Sequence, residues 1–187
     1  MRRLRRSPLR RKVRFATQGA SISERPLDAI LRGSAGHWEG DLIVGPSNKS
    51  AIGTIVERKS RYVRLVHLPA GHDAPNMTKA ICDVVSSLPE HLCRTLTWDQ
   101  GGEMAKHDVI APLFQQGIFF ADVASPWQRG TNENTNGLLR QYFPKGTDLR
   151  KYDPKYLRTV EELLNHRPRK VLGWLTPAEV YYADVGF

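Results

Sequence analysis

His37-Trp38-Glu39-Gly40-Asp41-Leu42-Ile43-Val44 reads as a strand, bounded by the turn residues Gly45-Pro46-Ser47-Asn48. Two further apolar runs follow at short intervals, Ala51 to Glu57 and Tyr62 to Leu68, with Arg58-Lys59-Ser60-Arg61 between them. Connections this short make the three runs antiparallel neighbours. Met77, Ile81, Val84 and Val85 then fall at helical spacing within Ala74 to Leu88, and Pro89 closes the segment. Arg94 to Trp98 is a short buried-type strand ended by Gln100-Gly101-Gly102, and the crossover helix before it makes it parallel to a strand of the first group. His107 to Gln116 reads as a second helix and Gly117 to Phe120 as a fifth strand. A helix capped by Thr131 or Asn132 runs to about Tyr142, where Pro144-Lys145-Gly146 stops it, and Pro154 to Asn165 forms another. Gln18 to Arg32 reads as an irregular lead-in. The pattern suits a mixed α/β layer fold.

At 187 residues the chain accommodates one full domain with a tail. No apolar run approaches the roughly 20 residues of a bilayer span, so no membrane partner is expected. The net charge of +9 is unevenly spread. Residues 1–14 hold eight Lys and Arg and no acid, leaving 20 basic against 19 acidic groups in the rest. Residues 140–170 carry nine basic and four acidic side chains, while residues 15–139 carry eleven and thirteen. Residues 1–20 therefore read as a disordered basic arm that contacts a polyanion, and residues 21–187 as the folded core with a C-terminal helical extension. The segment Arg2 to Arg14 is followed by no apolar stretch and is not a secretory signal. Cys82 and Cys93 lack metal or redox spacing, which fits reduced thiols in a cytoplasmic protein.

The segment Ser125-Pro-Trp-Gln-Arg-Gly-Thr-Asn-Glu-Asn-Thr-Asn-Gly-Leu-Leu-Arg-Gln-Tyr-Phe-Pro-Lys-Gly146 carries one acid, Glu133, in a stretch otherwise built for phosphate contact. Asp41 and Asp99 sit where strands are expected to end. Three carboxylates gathered by a fold can hold magnesium, a hard cation that takes few protein oxygens and completes its shell with water and phosphate. Two such ions about 3.5–4 Å apart can drive phosphodiester displacement. Each acid also has a plainer reading, an aspartate as a turn former and Glu133 as a favourable charge at a helix start. Glu39 shares a strand face with Asp41 and competes with it for the first position. Arg140 lies seven residues beyond Glu133, on the same helix face as Asn136, where a guanidinium could grip a phosphate bidentately. Trp127 and Arg129 could stack on or grip nucleic acid, with Trp127 equally suited to cover the core. Lys145, Arg167, Arg169 and Lys170 complete the candidate DNA contacts, against the alternative of a plain basic loop.

Several ordered blocks carry a resemblance: Ser23 to Pro26, Trp38 to Val44, Val56-Glu-Arg-Lys-Ser-Arg-Tyr62, Trp98-Asp-Gln-Gly101, Ser125 to Gly146, Arg167-Pro-Arg-Lys170 and Thr176-Pro-Ala-Glu-Val180. Together with the 33 residues between Asp99 and Glu133, they make the chain resemble, over roughly residues 21–183, the DDE-type transposases of bacterial insertion sequences, in the group named after insertion sequence thirty. The resemblance implies a ribonuclease H-like, integrase-core fold and metal-dependent phosphodiester hydrolysis followed by strand transfer. It implies two magnesium ions, replaceable by manganese, with Asp41 bridging both and Asp99 and Glu133 each holding one. It further implies transposon-end and target DNA as partners, a homo-oligomer on that DNA and a nucleoid-associated location. Members of the group carry a helix-turn-helix region ahead of this core, whereas this chain starts with the basic arm. A truncated DNA-binding or regulatory fragment is the alternative reading, and a nuclease of RNA–DNA hybrids a weaker third.

Overall fold

A computed structural model describes residues 19–123 and 125–186, so the basic arm lies almost wholly outside the described residues. Among these residues six strands form one sheet: β1 (Ala20–Ser21), β2 (His37–Val44), β3 (Ala51–Glu57), β4 (Val63–His67), β5 (Thr95–Trp98) and β6 (Ile118–Phe120), in the order β1-β6-β5-β2-β3-β4. Strands β2, β3 and β4 pair antiparallel, with Asp41 opposite Thr54. Strand β5 pairs parallel with β2, placing Glu39 opposite Thr97, and β6 and β1 continue the parallel half. The helices are α1 (Leu27–Leu31), α2 (Ala74–Val85), α3 (His107–Ile110), α4 (Gly130–Leu139), α5 (Pro154–Asn165) and α6 (Pro177–Val185).

Side chains alternate across a strand, so β2 divides its residues between two cores. Trp38 packs with Ile55, Val66, Met77, Ile81, Leu96 and Trp98 beneath α2. Ile43 packs on the other face with Ile52, Val63, Leu139, Phe143, Leu157 and Leu164, beneath α4 and α5. Glu39 and Asp41 share that second face with Ile43, which aims both acids at α4. Gly40 points the other way, and a Cβ there would lie 1.8 Å from the Trp98 ring. Only glycine lets β2 pass under that indole, and the passage brings β2 and β5 together.

Asp73 caps α2 by accepting the Asn76 N–H at 3.0 Å, and Asp153 caps α5 by accepting that of Tyr156 at 2.7 Å. Helix α5 also finishes the edge of the sheet. The Asn165 amide accepts from Val63 N at 2.8 Å and donates to Val63 O at 3.0 Å, copying a strand partner along β4.

All five expected strands form, and β5 is parallel to β2 as the crossover requires. Three expectations need correction. Helix α4 starts at Gly130 with Arg129 as its N-cap and ends at Leu139, so neither Thr131 nor Asn132 caps it and it stops short of Tyr142. The lead-in is ordered: Ser21 and Glu24 make a capping box around the turn Ile22–Glu24, after which α1 begins. Strand β1, at two residues, is too short to show any alternation. The second helix stops at Ile110 and gives way to a 3₁₀ turn at Ala111–Leu113, where Pro112 withholds an N–H from the helix ladder. Helix α6 carries a Thr176–Glu179 capping box that was read only as part of a motif.

Candidate active site

Asp41 lies within β2 rather than at its end, because pairing with β3 continues to Val44. Its Oδ1 accepts from Leu42 N at 2.9 Å and its Oδ2 from the Asn136 side-chain amide at 3.0 Å. Asp99 directly follows β5. The two aspartates are joined by Arg129, whose Nη1 lies 3.1 Å from Asp41 Oδ1 and whose Nη2 lies 3.3 Å from Asp99 Oδ2. Arg129 is 9% exposed, and its Nη1 also donates to Gly40 O at 3.0 Å. The guanidinium expected to meet DNA thus sits between the carboxylates as their shared counter-ion.

Helix α4 is docked by polar side chains rather than by an apolar stripe. Asn132 donates to Glu39 O at 3.0 Å and Thr54 O at 3.3 Å, and its Oδ1 accepts from the Thr54 hydroxyl at 2.7 Å. That hydroxyl also lies 3.1 Å from Asn136 Oδ1, so one threonine of β3 fixes two successive turns of α4. Glu39 is fully buried. One of its oxygens pairs with Arg58 and the other accepts the Asn132 N–H at 3.0 Å. No side chain of the N-cap residue caps α4, so Glu39 supplies that cap from across the fold. Committed to Arg58 and Asn132, Glu39 is no rival to Asp41 for a cation.

Glu133 stands exposed in the first turn of α4, one turn before Asn136 and on its face. Among the described residues no three Asp, Glu, His or Cys side chains lie close enough to share one ion. The structure therefore gathers Asp41 and Asp99 and holds Glu133 on the adjacent helix. Two observations fit a cation here. Asp99 Oδ1 is buried with no hydrogen-bond partner, and a cationic side chain already spans the aspartates.

The remaining candidates make no hydrogen bond or ion pair with Asp41, Asp99 or Glu133 among the described residues. Arg140 donates at 3.4 Å to Phe143 O and Val44 O. Trp127 is 71% exposed and does not cover the core. The loop bearing it is tied at its base by Gln128, which accepts from Asp122 N at 2.8 Å and donates to Asp122 Oδ2 at 2.9 Å. Lys145, Arg167 and Lys170 are exposed, while Arg169 donates to Leu164 O at 3.2 Å. One acid near Asp99 escaped the sequence reading. Glu103 accepts from the Trp98 indole at 3.2 Å, and burial, with the Asp99 charge adding to it, pushes its carboxyl above the usual range. Only its position just past Gln100-Gly101-Gly102 could have flagged it.

Transposase InsI of insertion sequence element IS30A from Escherichia coli (strain K12) is 49% identical over 162 residues, covering 87% of this chain and 42% of that protein. The chain belongs to the IS30 family of transposases. The transposase of IS1086 from Cupriavidus metallidurans is 49% identical over 160 residues, and that of IS4351 from Bacteroides fragilis 39% over 167. This IS30-family chain spans about half the length of the curated relatives it matches. No protein-family model matches it. The fold is similar to the catalytic core domain of BIV integrase, with a TM-score of 0.57 at 18% identity over 80% of this chain and 95% of that one. No helix among the described residues is long and apolar enough to cross a membrane.

Proposed function

We propose that this chain is a transposase catalytic core that cuts and joins DNA phosphodiesters during movement of an insertion sequence, using magnesium held by Asp41, Asp99 and Glu133. The observation that carries the reading is the pairing of Asp41 and Asp99 across one guanidinium, beside a helix that presents Glu133. When bound, two divalent ions supply the charge that activates an attacking oxygen and stabilises the leaving one. The chain does the rest. Asn136, itself held by Thr54, keeps Asp41 Oδ2 in one orientation. The Glu39 cap and the Asn132 amide fix the start of α4, and with it the position of Glu133.

In the first step water attacks phosphorus at a transposon end, a new P–O bond forms, and the bond to the 3′-oxygen breaks to leave a 3′-hydroxyl. In the second that hydroxyl attacks a target phosphodiester and displaces its 3′-oxygen, so one P–O bond replaces another. No protein–DNA covalent bond is required. Arg140 and Asn136 face the same side of α4 as Glu133 and are placed to hold the DNA backbone there. Transposon-end and target DNA, and a homo-oligomer assembled on them, are the partners this reading requires. Incubating the chain with supercoiled plasmid tests it. Nicking that appears with magnesium or manganese and vanishes with EDTA supports the reading. Metal-independent nicking, or cleavage confined to RNA–DNA hybrids, contradicts it.

Arg129 has a further role in this reading. Its contacts to Asp41 and Asp99 hold the aspartates together and oppose any other cation there. Arg129→Ala is expected to tighten manganese binding by roughly tenfold or more, since about 1.4 kcal/mol already corresponds to tenfold. Calorimetric titration reads this without turnover. Equal or weaker manganese affinity in the folded variant contradicts the role.

A further inference from the structure

Four arginines meet at the N-terminal end of α4: Arg25 and Arg32 from the lead-in, and Arg58 and Arg61 from the turn between β3 and β4. Arg32 follows α1 and Arg61 lies between β3 and β4, both with left-handed backbone at φ of 57° and 66°. Both guanidiniums converge on the Thr131 hydroxyl, donating at 3.1 and 2.9 Å. Arg25, 8% exposed, donates to the Thr97 hydroxyl at 3.2 Å. Arg58 completes the group through its pairing with Glu39.

The charges do not balance. Glu39 and Glu57 are the acids set among these four arginines. Glu57 is spent on Gly36 N, Ser60 N and the Ser60 hydroxyl, and burial raises its pKa. The positive end of the ten-residue α4 adds to the surplus. Burial first, and then the neighbouring arginines, push Arg58 down to about 9 and Arg61 to about 10. Donors are left over as well. The Nε groups of Arg25 and Arg61 are buried with no hydrogen-bond partner, and Arg25 is an almost fully buried side chain. Two guanidiniums share one hydroxyl, a neutral acceptor with two lone pairs. Like charges crowded out of water are unfavourable until an anion joins them, and planar guanidinium forks match phosphate oxygens bidentately.

We propose that Arg25, Arg32 and Arg61, with the first turn of α4, bind a DNA backbone phosphate neighbouring the one that undergoes chemistry. The placement follows from the chain: Thr131 precedes Glu133 by two residues on α4, and Thr97 precedes Asp99 by two on the β5 line. The proposal rests on the transposase reading for its ligand, and its test needs no catalysis.

Binding of a fluorescent duplex is measured by anisotropy in EDTA over a range of salt, for the wild type and for Arg32→Asn/Arg61→Asn, since asparagine tolerates the left-handed backbone. Each phosphate no longer neutralised lowers the slope of log affinity against log salt by about 0.9, so the double variant, which gives up one phosphate, is expected to lose about 0.9. Arg158→Gln, on the exposed surface near α2, is the charge control and is expected to leave the slope unchanged. In parallel, inorganic phosphate is expected to raise the thermal midpoint of the wild type and not of the double variant. A folded double variant with the wild-type slope overturns the proposal. Loss of the phosphate effect alone, with the slope intact, also overturns it, because the site would then take free phosphate and not DNA. An equal slope loss in Arg158→Gln overturns it as a general charge effect. Should the double variant fail to fold, the single variants carry the test, each expected to lose part of that roughly 0.9. A chain inactive on plasmid that still shows the slope loss contradicts the functional reading and leaves the cluster standing.

Discussion

Asp41→Asn and Asp99→Asn each lose roughly 10³-fold or more of DNA cleavage, the scale of one pre-organised electrostatic group at a reaction centre. The loss comes from charge and not from shape. Asparagine keeps the volume of aspartate and can still pair with Asn136 at position 41 or with Arg129 at position 99. Removing one negative charge lets Arg129 cancel the remaining aspartate, leaving Glu133 alone to draw in a divalent ion. Both variants are expected to unfold at the wild-type urea midpoint, because each aspartate is partly exposed and replaced by a hydrogen-bonding isostere. Plasmid nicking with magnesium, run beside urea unfolding, checks both halves. Turnover within tenfold of wild type in either variant removes that residue from the site.

Arg58→Met is the change expected to cost most stability, about 3–5 kcal/mol, because it strands Glu39 as a buried charge without its partner. The pair is inaccessible on both sides, with side-chain exposures of 5% and 0%, so water cannot replace the lost guanidinium. The damage reaches the site through α4, since Glu39 also caps Asn132 N. Arg58 further donates to Ala29 O at 2.9 Å, so α1 loosens too. Glu39→Leu combined with Arg58→Met is expected to recover much of the loss, because the stranded charge disappears with its partner. Urea unfolding of the two variants decides it. A single variant that loses less than about 1 kcal/mol, the range of an exposed pair, shows that the interaction carries no such weight.

The sheet was legible because its signals are local. The apolar run of His37–Val44, the turn residues after it and a helical period in residues 74–88 each report on a few neighbouring side chains, and the structure has a strand and a helix there. The lead-in was missed for the opposite reason: Ala20–Ser21 becomes a strand only by pairing with Phe119 and Phe120, a contact that no local pattern encodes. At the site, the blocks that carry the family resemblance pointed to the two aspartates that the fold brings together, each of which read by itself as an ordinary turn former. They could not show that Arg129 lies between them, since a loop arginine has no periodic partner. Thr54 and Asn132 were invisible for a similar reason. A polar residue inside an apolar strand, or on a weakly amphipathic helix, has meaning only once the two elements face each other. Glu39 looked like a ligand in sequence because alternation puts it on the Asp41 face. Burial against Arg58 and the α4 amide gives it structural work instead.

The central claim is that carboxylates on β2, just after β5 and on α4 act together in phosphoryl transfer, and Glu133 is the member that the structure holds apart from the others. Strand transfer from an oligonucleotide with a free 3′-hydroxyl into plasmid, with magnesium or manganese, is therefore compared between the wild type and Glu133→Gln from parallel preparations. The account predicts joined product with the wild type and a loss of roughly 10³-fold in the variant, with duplex binding in EDTA equal for the two. Equal strand transfer by both proteins contradicts it, and so does a chain that binds DNA but joins none with either metal, which is instead a binding or regulatory fragment.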